Sequence, residues 1–192
     1  MRKLFYIPII HTSEDLGSHL AEAKKEYIAK YGFSKWHDHI EVVGKFWRGL
    51  QIVLLALPMN YTNVKLYQDS LPVCGRELEI VETLAHDGNI NYQILLELVK
   101  KGATVMGSED PKLLIEERNR IIKNDVAGTA NIYDDLMEQR DSYIAHRIDT
   151  TLKDGEIGFL FIGALHKVAE KLPHDIQILS FPELENSPKE KD

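Results

Sequence analysis

The chain has a single cysteine, Cys74, among its 192 residues. One thiol excludes an internal disulfide and any zinc site built on cysteines. It suits a reducing compartment, so the expectation is a cytoplasmic protein. Basic runs are missing too: 23 Lys and Arg stand against 30 Asp and Glu, a formal net charge of −7. Affinity for a nucleic-acid backbone needs clustered cations, so nucleic acid is not an expected partner. No apolar run approaches the ~18 residues of a membrane span; the longest after the N-terminus is Ile52 to Leu57 with its neighbours. The opening stretch Met1 to Ile10 imitates a signal peptide. It is too brief, contains Pro8, and runs into His11-Thr12-Ser13-Glu14-Asp15 instead of a small-residue cleavage site. Neither GxxxxGK nor GxGxxG occurs, so a nucleotide cofactor has no support.

What remains is ordinary globular composition, 44% hydrophobic and 28% charged, at a length that suits one domain. Leu4 to Ile10 is a compact apolar run that reads as a buried strand. Ser13 opens a helix that stops at Gly32. A second helix runs from Ser34 to Leu57, where Pro58 ends it. Asn63 to Gln68 reads as a strand, Gly75 to Ala85 and Ile90 to Val99 as helices, and Ala103 to Met106 as a third strand. Pro111 opens a helix, Gly128 to Ala130 is a break, and a long helix covers Ile132 to Leu152. Ile157 to Ile162 is the most strand-like run, followed by a short helix at Lys167 to Leu172 and a last strand at Ile176 to Phe181. Alternation of this kind predicts an α/β domain over 1–181: a mostly parallel sheet of about five strands with helices on both faces. The tail 182–192 is polar and reads as disordered.

In such sheets ligands bind beyond the carboxyl ends of the strands. That rule selects His11 after the first strand, Asp69 after the second, Glu109 and Asp110 after the third, and His166 after the fourth. Imidazole with carboxylate is a ligand set for Mn, Fe, Co or Zn, and equally an acid–base set without metal. Each residue also has a plainer reading. Asp69 can cap a turn before Pro72, and Glu109 and Asp110 are favourable acids ahead of a helix. Arg140 lies beside the apolar stripe of Met137, Ile144 and Ile148. An inward charge needs a partner or an anion, unless the stem alone is covered and the head reaches water. Arg147 shares that side. The pair His37 and His39 cannot chelate from a helix, since i and i+2 diverge. Cys74 reads as a small buried residue.

Ile9-Ile10-His11-Thr12-Ser13-Glu14 after an opening strand resembles the first motif of the TraB/PrgY/GumN (TIKI-type) superfamily, which is related in appearance to erythromycin-esterase and ChaN-like proteins. Arg140-Asp141-Ser142-Tyr143-Ile144-Ala145, then a strand, then Gly163-Ala164-Leu165-His166, is similar to its Arg-bearing helix and second Gly-x-x-His. The resemblance implies an α/β fold with both His motifs at one site. It further implies a metal-dependent hydrolase in which His11 and His166 are metal ligands or acid–base groups and Arg140 binds an anion or carboxylate. Asp69 (as a metal ligand) and Glu109 (as a catalytic group) are candidates for the acidic member by strand position.

The reading is therefore a hydrolase for a small ester, amide or phosphoester at the strand ends, with His11, His166 and Asp69 as metal ligands and Glu109 and Arg140 in the chemistry. The rival is a non-catalytic module that binds or senses a small anion in the same crevice. The apolar stretch Trp47 to Met59 offers a homo-oligomer interface if exposed, and core if buried.

Overall fold

A computed structural model describes residues 1–9, 25, 28–122 and 130–180. Five strands form one all-parallel sheet: β1 (Arg2–Ile9), β2 (Val64–Gln68), β3 (Thr104–Met106), β4 (Ile157–Gly163) and β5 (Ile176–Ser180), in the order β3-β2-β4-β1-β5. The helices are α1 (Phe33–Ala56), α2 (Glu77–His86), α3 (Ile90–Lys100), α4 (Pro111–Ile122) and α5 (Ala130–Thr151). The expected helix over 13–32 is described only at residues 25 and 28–31, which are helical. His11, the Gly128 break and the tail 182–192 lie outside the described residues.

The sheet divides the core in two. On one face Ile7, Ile9, Val64, Leu66, Phe159 and Phe161 pack with α1, α2 and α3 through Trp47, Leu54, Val81, Ile94 and Leu98. On the other, Leu4, Tyr67, Leu160 and Ile162 pack with α5 through Ile144 and Ile148, and with Leu152 just beyond its end. The period-two alternation of β4 sends its side chains to opposite layers, as a strand buried on both faces requires. The chain moves from β1 to β2 to β3 towards one edge with its helices on the first face. It then reverses to β4 with α5 on the second, which is what right-handed crossovers demand. Neighbouring strands therefore send their following loops to opposite faces at their carboxyl ends, the place where sheets of this kind bind ligands.

Pro8 sits inside β1, opposite Ile162 of β4, whereas β5 pairs with β1 only as far as Tyr6. The proline thus lies beyond the last rung on that side. Arg2 clamps Asp149 of α5 and Asp175 ahead of β5, at 2.8 Å each. Two expected elements change. The helix expected from Gly75 starts at Glu77, because Gly75 has φ +77° and the Glu77 carboxylate accepts from the amides of Cys74 and Gly75, both at 2.9 Å. The short helix after β4 is one 3-10 turn, Val168–Lys171, since Pro173 leaves room for no more. Cys74, expected to be buried, is exposed, because it lies in the bend that leads into α2. The stretch Trp47 to Met59 is divided: Trp47, Leu50 and Leu54 are core, and Ile52 is exposed. No described helix is long and apolar enough to cross a membrane.

Candidate functional site

The carboxyl end of β2 is extended by one rung, in which the Asp69 amide donates to the Phe161 carbonyl at 2.8 Å. The chain then turns: Leu71 N donates to Gln68 O at 3.1 Å, with Ser70 at φ +64°. The segment after β3 is stitched to this turn. Ser108 N and Glu109 N both donate to Leu71 O, at 3.0 and 3.1 Å, Val73 N donates to Glu109 O at 2.9 Å, and Ser108 Oγ reaches Gln68 O. Gly107 permits the approach, since a Cβ there would stand 2.7 Å from Val73 Cα and 2.8 Å from Pro72 O. Arg147, half-buried, donates from Nε to Gly107 O at 3.2 Å. Glu109 is thereby set beside Asp69.

After β4 the chain folds back. His166 N donates to Gly163 O at 3.1 Å, leaving Ala164 and Leu165 exposed and His166 buried. Helix α5 supplies the remaining groups. Its buried face carries Leu136, Arg140, Asp141, Ile144, Ala145 and Ile148, so two charged residues occupy apolar positions. The reading of Arg140 as a covered stem with its head in water does not hold: the residue is 3% exposed.

The result is one buried cluster. Arg140 grips Glu109 with both sides of its fork, Nη2 to Oε1 at 2.7 Å and Nε to Oε2 at 3.2 Å. Nη2 also donates to Asp69 Oδ1 at 3.0 Å, and Nη1 to Glu117 of α4 at 2.6 Å. The other oxygen of Asp69, Oδ2, accepts from Gly163 N at 3.0 Å and faces His166 Nε2 at 3.5 Å. His166 Nδ1 lies 2.5 Å from Asp141 Oδ1, and Asp141 Oδ2 accepts from Lys167 N at 2.7 Å. Tyr6 donates to His166 O at 3.3 Å. Arg140, read as an anion or carboxylate binder, is turned onto the protein's own carboxylates.

The electrostatics follow from burial. Asp69, Glu109 and Asp141 are three buried carboxylates against one guanidinium and one imidazole. Burial pushes the Glu109 carboxyl above the ordinary range, with the Arg140 hydrogen bond and charge pulling it back. Burial alone would depress His166, but the Asp141 hydrogen bond and the Asp69 charge outweigh it, and the imidazole is raised. Burial likewise works against the Arg140 charge, and Glu109, Glu117 and Asp69 more than restore it. The Tyr6 hydroxyl is pushed up to about 12 by burial and by Asp141 and Asp69, so it stays a donor.

One ligand atom each from Asp69, Glu109 and His166 lie within 4.8 Å of one another, so the group can hold a metal ion. The donor set, one imidazole and two carboxylates, suits Mn, Fe, Co or Zn. The 3.5 Å between His166 Nε2 and Asp69 Oδ2 is long for a hydrogen bond. It is close to the ~3.4 Å expected of two tetrahedral ligands sharing an ion at about 2.1 Å.

Of the residues selected from sequence, Asp69, Glu109, Arg140 and His166 come together here. His11 lies outside the described residues. Asp110 stays apart and caps α4, accepting from Lys112 N at 2.8 Å. His37, His86, His146 and His174 are exposed and outside the cluster. Sequence reasoning missed Asp141 and Glu117. The signal for Asp141 was present: it lies three and seven residues before Ile144 and Ile148, on the stripe itself. Glu117 shows no such signal, because its role depends on how α4 docks against α5. No family model, curated protein or solved structure matches the chain, so function has to be argued from this geometry and from the short motifs.

Proposed function

We propose that the chain is a metal-dependent hydrolase for a small ester, amide or phosphoester, working at the carboxyl ends of β2, β3 and β4. The observation that carries this is His166: one ring nitrogen is held by buried Asp141 at 2.5 Å and the other is directed at Asp69 Oδ2. A carboxylate on the far nitrogen is the arrangement by which proteins orient metal-ligating histidines and raise their basicity. The resemblance to the TraB/PrgY/GumN superfamily points the same way, and adds His11 as a further candidate ligand. His166, Asp69 and Glu109 would hold the ion. When bound, it would supply Lewis-acid polarisation of the scissile centre and a water acidified towards neutral pH.

The chain's own groups have separate tasks. Asp141 accepts from His166 Nδ1 and so fixes the tautomer that leaves Nε2 with a lone pair. Arg140 neutralises Glu109 and Asp69 and holds both carboxylates by hydrogen bonds, a positioning role in place of substrate binding. Glu109 would complete the ligand set, and because burial raises its carboxyl the ion would have to displace the proton that burial favours.

A rival draws on a different observation. Asp69 Oδ1 and both oxygens of Glu109 already have donors from Arg140, and a raised His166 favours an ionised, metal-free network. That network would serve a module that senses or binds a small ligand. Elemental analysis decides between them, on protein purified without chelator or metal resin. The hydrolase reading expects near-stoichiometric Mn, Fe, Co or Zn, lost in His166→Ala and in Asp69→Asn. A wild type that holds none, even after addition of Mn²⁺ or Co²⁺, overturns it.

A further inference from the structure

The candidate ligands Asp69, Glu109 and His166 are buried, and so are Arg140 and Asp141 beside them. An ion or a substrate reaches such a group only when part of its wall gives way. Among the described residues most of that wall is tied down. The turn at 70–73 and the segment at 107–109 are joined by backbone hydrogen bonds, from Ser108 N and Glu109 N to Leu71 O and from Val73 N to Glu109 O. The stretch after β4 is held by Asp141, which takes the His166 ring on one oxygen and the Lys167 amide on the other. Helix α5 is anchored in the core through Ile144 and Ile148. Helix α4 is attached differently. None of its residues 111–120 is buried. Lifting it away exposes little apolar surface, and elements with so little burial are the ones that open at low cost.

What ties α4 to the cluster is Glu117, which accepts from Arg140 Nη1 at 2.6 Å. The three carboxylates on Arg140 are not equivalent. The Asp69 and Glu109 side chains are 3% and 0% exposed, whereas that of Glu117 is 17% exposed. If Arg140 released either of the first two, a buried charge would be left without its partner. Glu117 can exchange the guanidinium for water, so its pair breaks and reforms far more easily. On the inner side of the same guanidinium, Nη2 holds Asp69 and Glu109, two of the three candidate ligands.

We infer that α4 is the cover of the site and Glu117 its latch: breaking the Glu117–Arg140 pair lets α4 lift and opens the path by which an ion reaches Asp69, Glu109 and His166. The inference rests on the metal reading above and adds a moving part to it. Stopped-flow binding of Co²⁺ to the metal-free protein tests it, followed by the visible absorbance of the bound ion. If the cover must lift before the ion enters, the observed rate stops rising at high Co²⁺ and settles at the opening rate. That plateau should rise about 5-fold in Glu117→Gln, the factor that a partly exposed ion pair adds to a closed state. Release of Co²⁺ into EDTA should quicken by a similar factor. Loss of a negative charge by itself acts in the opposite sense, since it slows the approach of a cation. Glu117→Asp keeps the charge on a side chain one methylene shorter, and should quicken entry and release as well. An observed rate that climbs linearly with Co²⁺ in the wild type, or a plateau that neither variant moves, overturns the inference and leaves the metal reading standing. Faster amide exchange over 112–120 in the variants without faster Co²⁺ entry also overturns it, since Glu117 would then only pin a helix. A wild type that binds no Co²⁺ removes the metal reading, and this inference with it.

Discussion

Arg140 spends one side chain on three carboxylates, and its planar fork is what makes that possible. A lysine ammonium is a single point charge and cannot span Glu109, Asp69 and Glu117 together. Removing the guanidinium leaves buried acids without a counter-charge, a change that costs about 3–5 kcal/mol. Arg140→Met is thus expected to lower the Tm by roughly 6–20 °C at this chain length. Arg140→Lys should fall between the two. The companion measurement is Arg140→Met with Glu109→Gln. If uncompensated charge is the cause, the double variant is more stable than Arg140→Met alone. A single variant as stable as wild type would mean that the fork holds nothing in place.

The elements that frame the cluster were legible to different degrees. The Ile157 to Ile162 run announced β4 because a strand buried on both faces is apolar throughout. Asp69, Glu109 and His166 were found because parallel strands place ligands at one end, a rule that needs no strand order. The order itself was not legible: β4 pairs Ile157 with both Lys3 and Val64, and no local pattern records such distant partners. Glu117 was passed over for the same reason, since its contact with Arg140 depends on how α4 docks against α5. Two glycines test whether the site depends on this framework locally. A Cβ on Gly107 would press on the backbone of Pro72 and Val73, and one on Gly158 would meet Leu4 Cδ1 at 2.5 Å. Both Gly107→Ala and Gly158→Ala should destabilise by about 1–3 kcal/mol through overpacking, read by denaturant unfolding. They differ in consequence. Gly158 lies at the start of β4, far along the strand from His166, so Co²⁺ affinity should survive there. Gly107→Ala moves the segment that seats Glu109, and affinity should fall. Equal losses in both would mean that global stability, not local seating, governs the site.

At the scale of the whole molecule, the buried charges make stability a function of pH. His166 has a raised pKa, so the folded state holds its proton more tightly than the unfolded chain. The stabilisation it gives is complete below its ordinary value of 6.5 and is lost as pH rises through the folded value. Glu109, also raised, acts with the same sign from its ordinary 4.5 upward. In the presence of EDTA the Tm should therefore decline from about pH 6.5 upward, and His166→Gln should flatten that decline. A bound ion reverses the slope. A ligating imidazole must be neutral, so the ion competes with the proton and binds more tightly as pH rises. Whatever binds only the folded state adds its binding free energy to stability, about 2.7 kcal/mol at a hundredfold excess over Kd. With Mn²⁺ or Co²⁺ present, the gap between the two Tm curves should thus open with increasing pH, and close in His166→Gln. Curves that coincide from pH 6 to 9 would identify the cluster as a self-contained ionic network, and the small-ligand module would then be the reading to pursue.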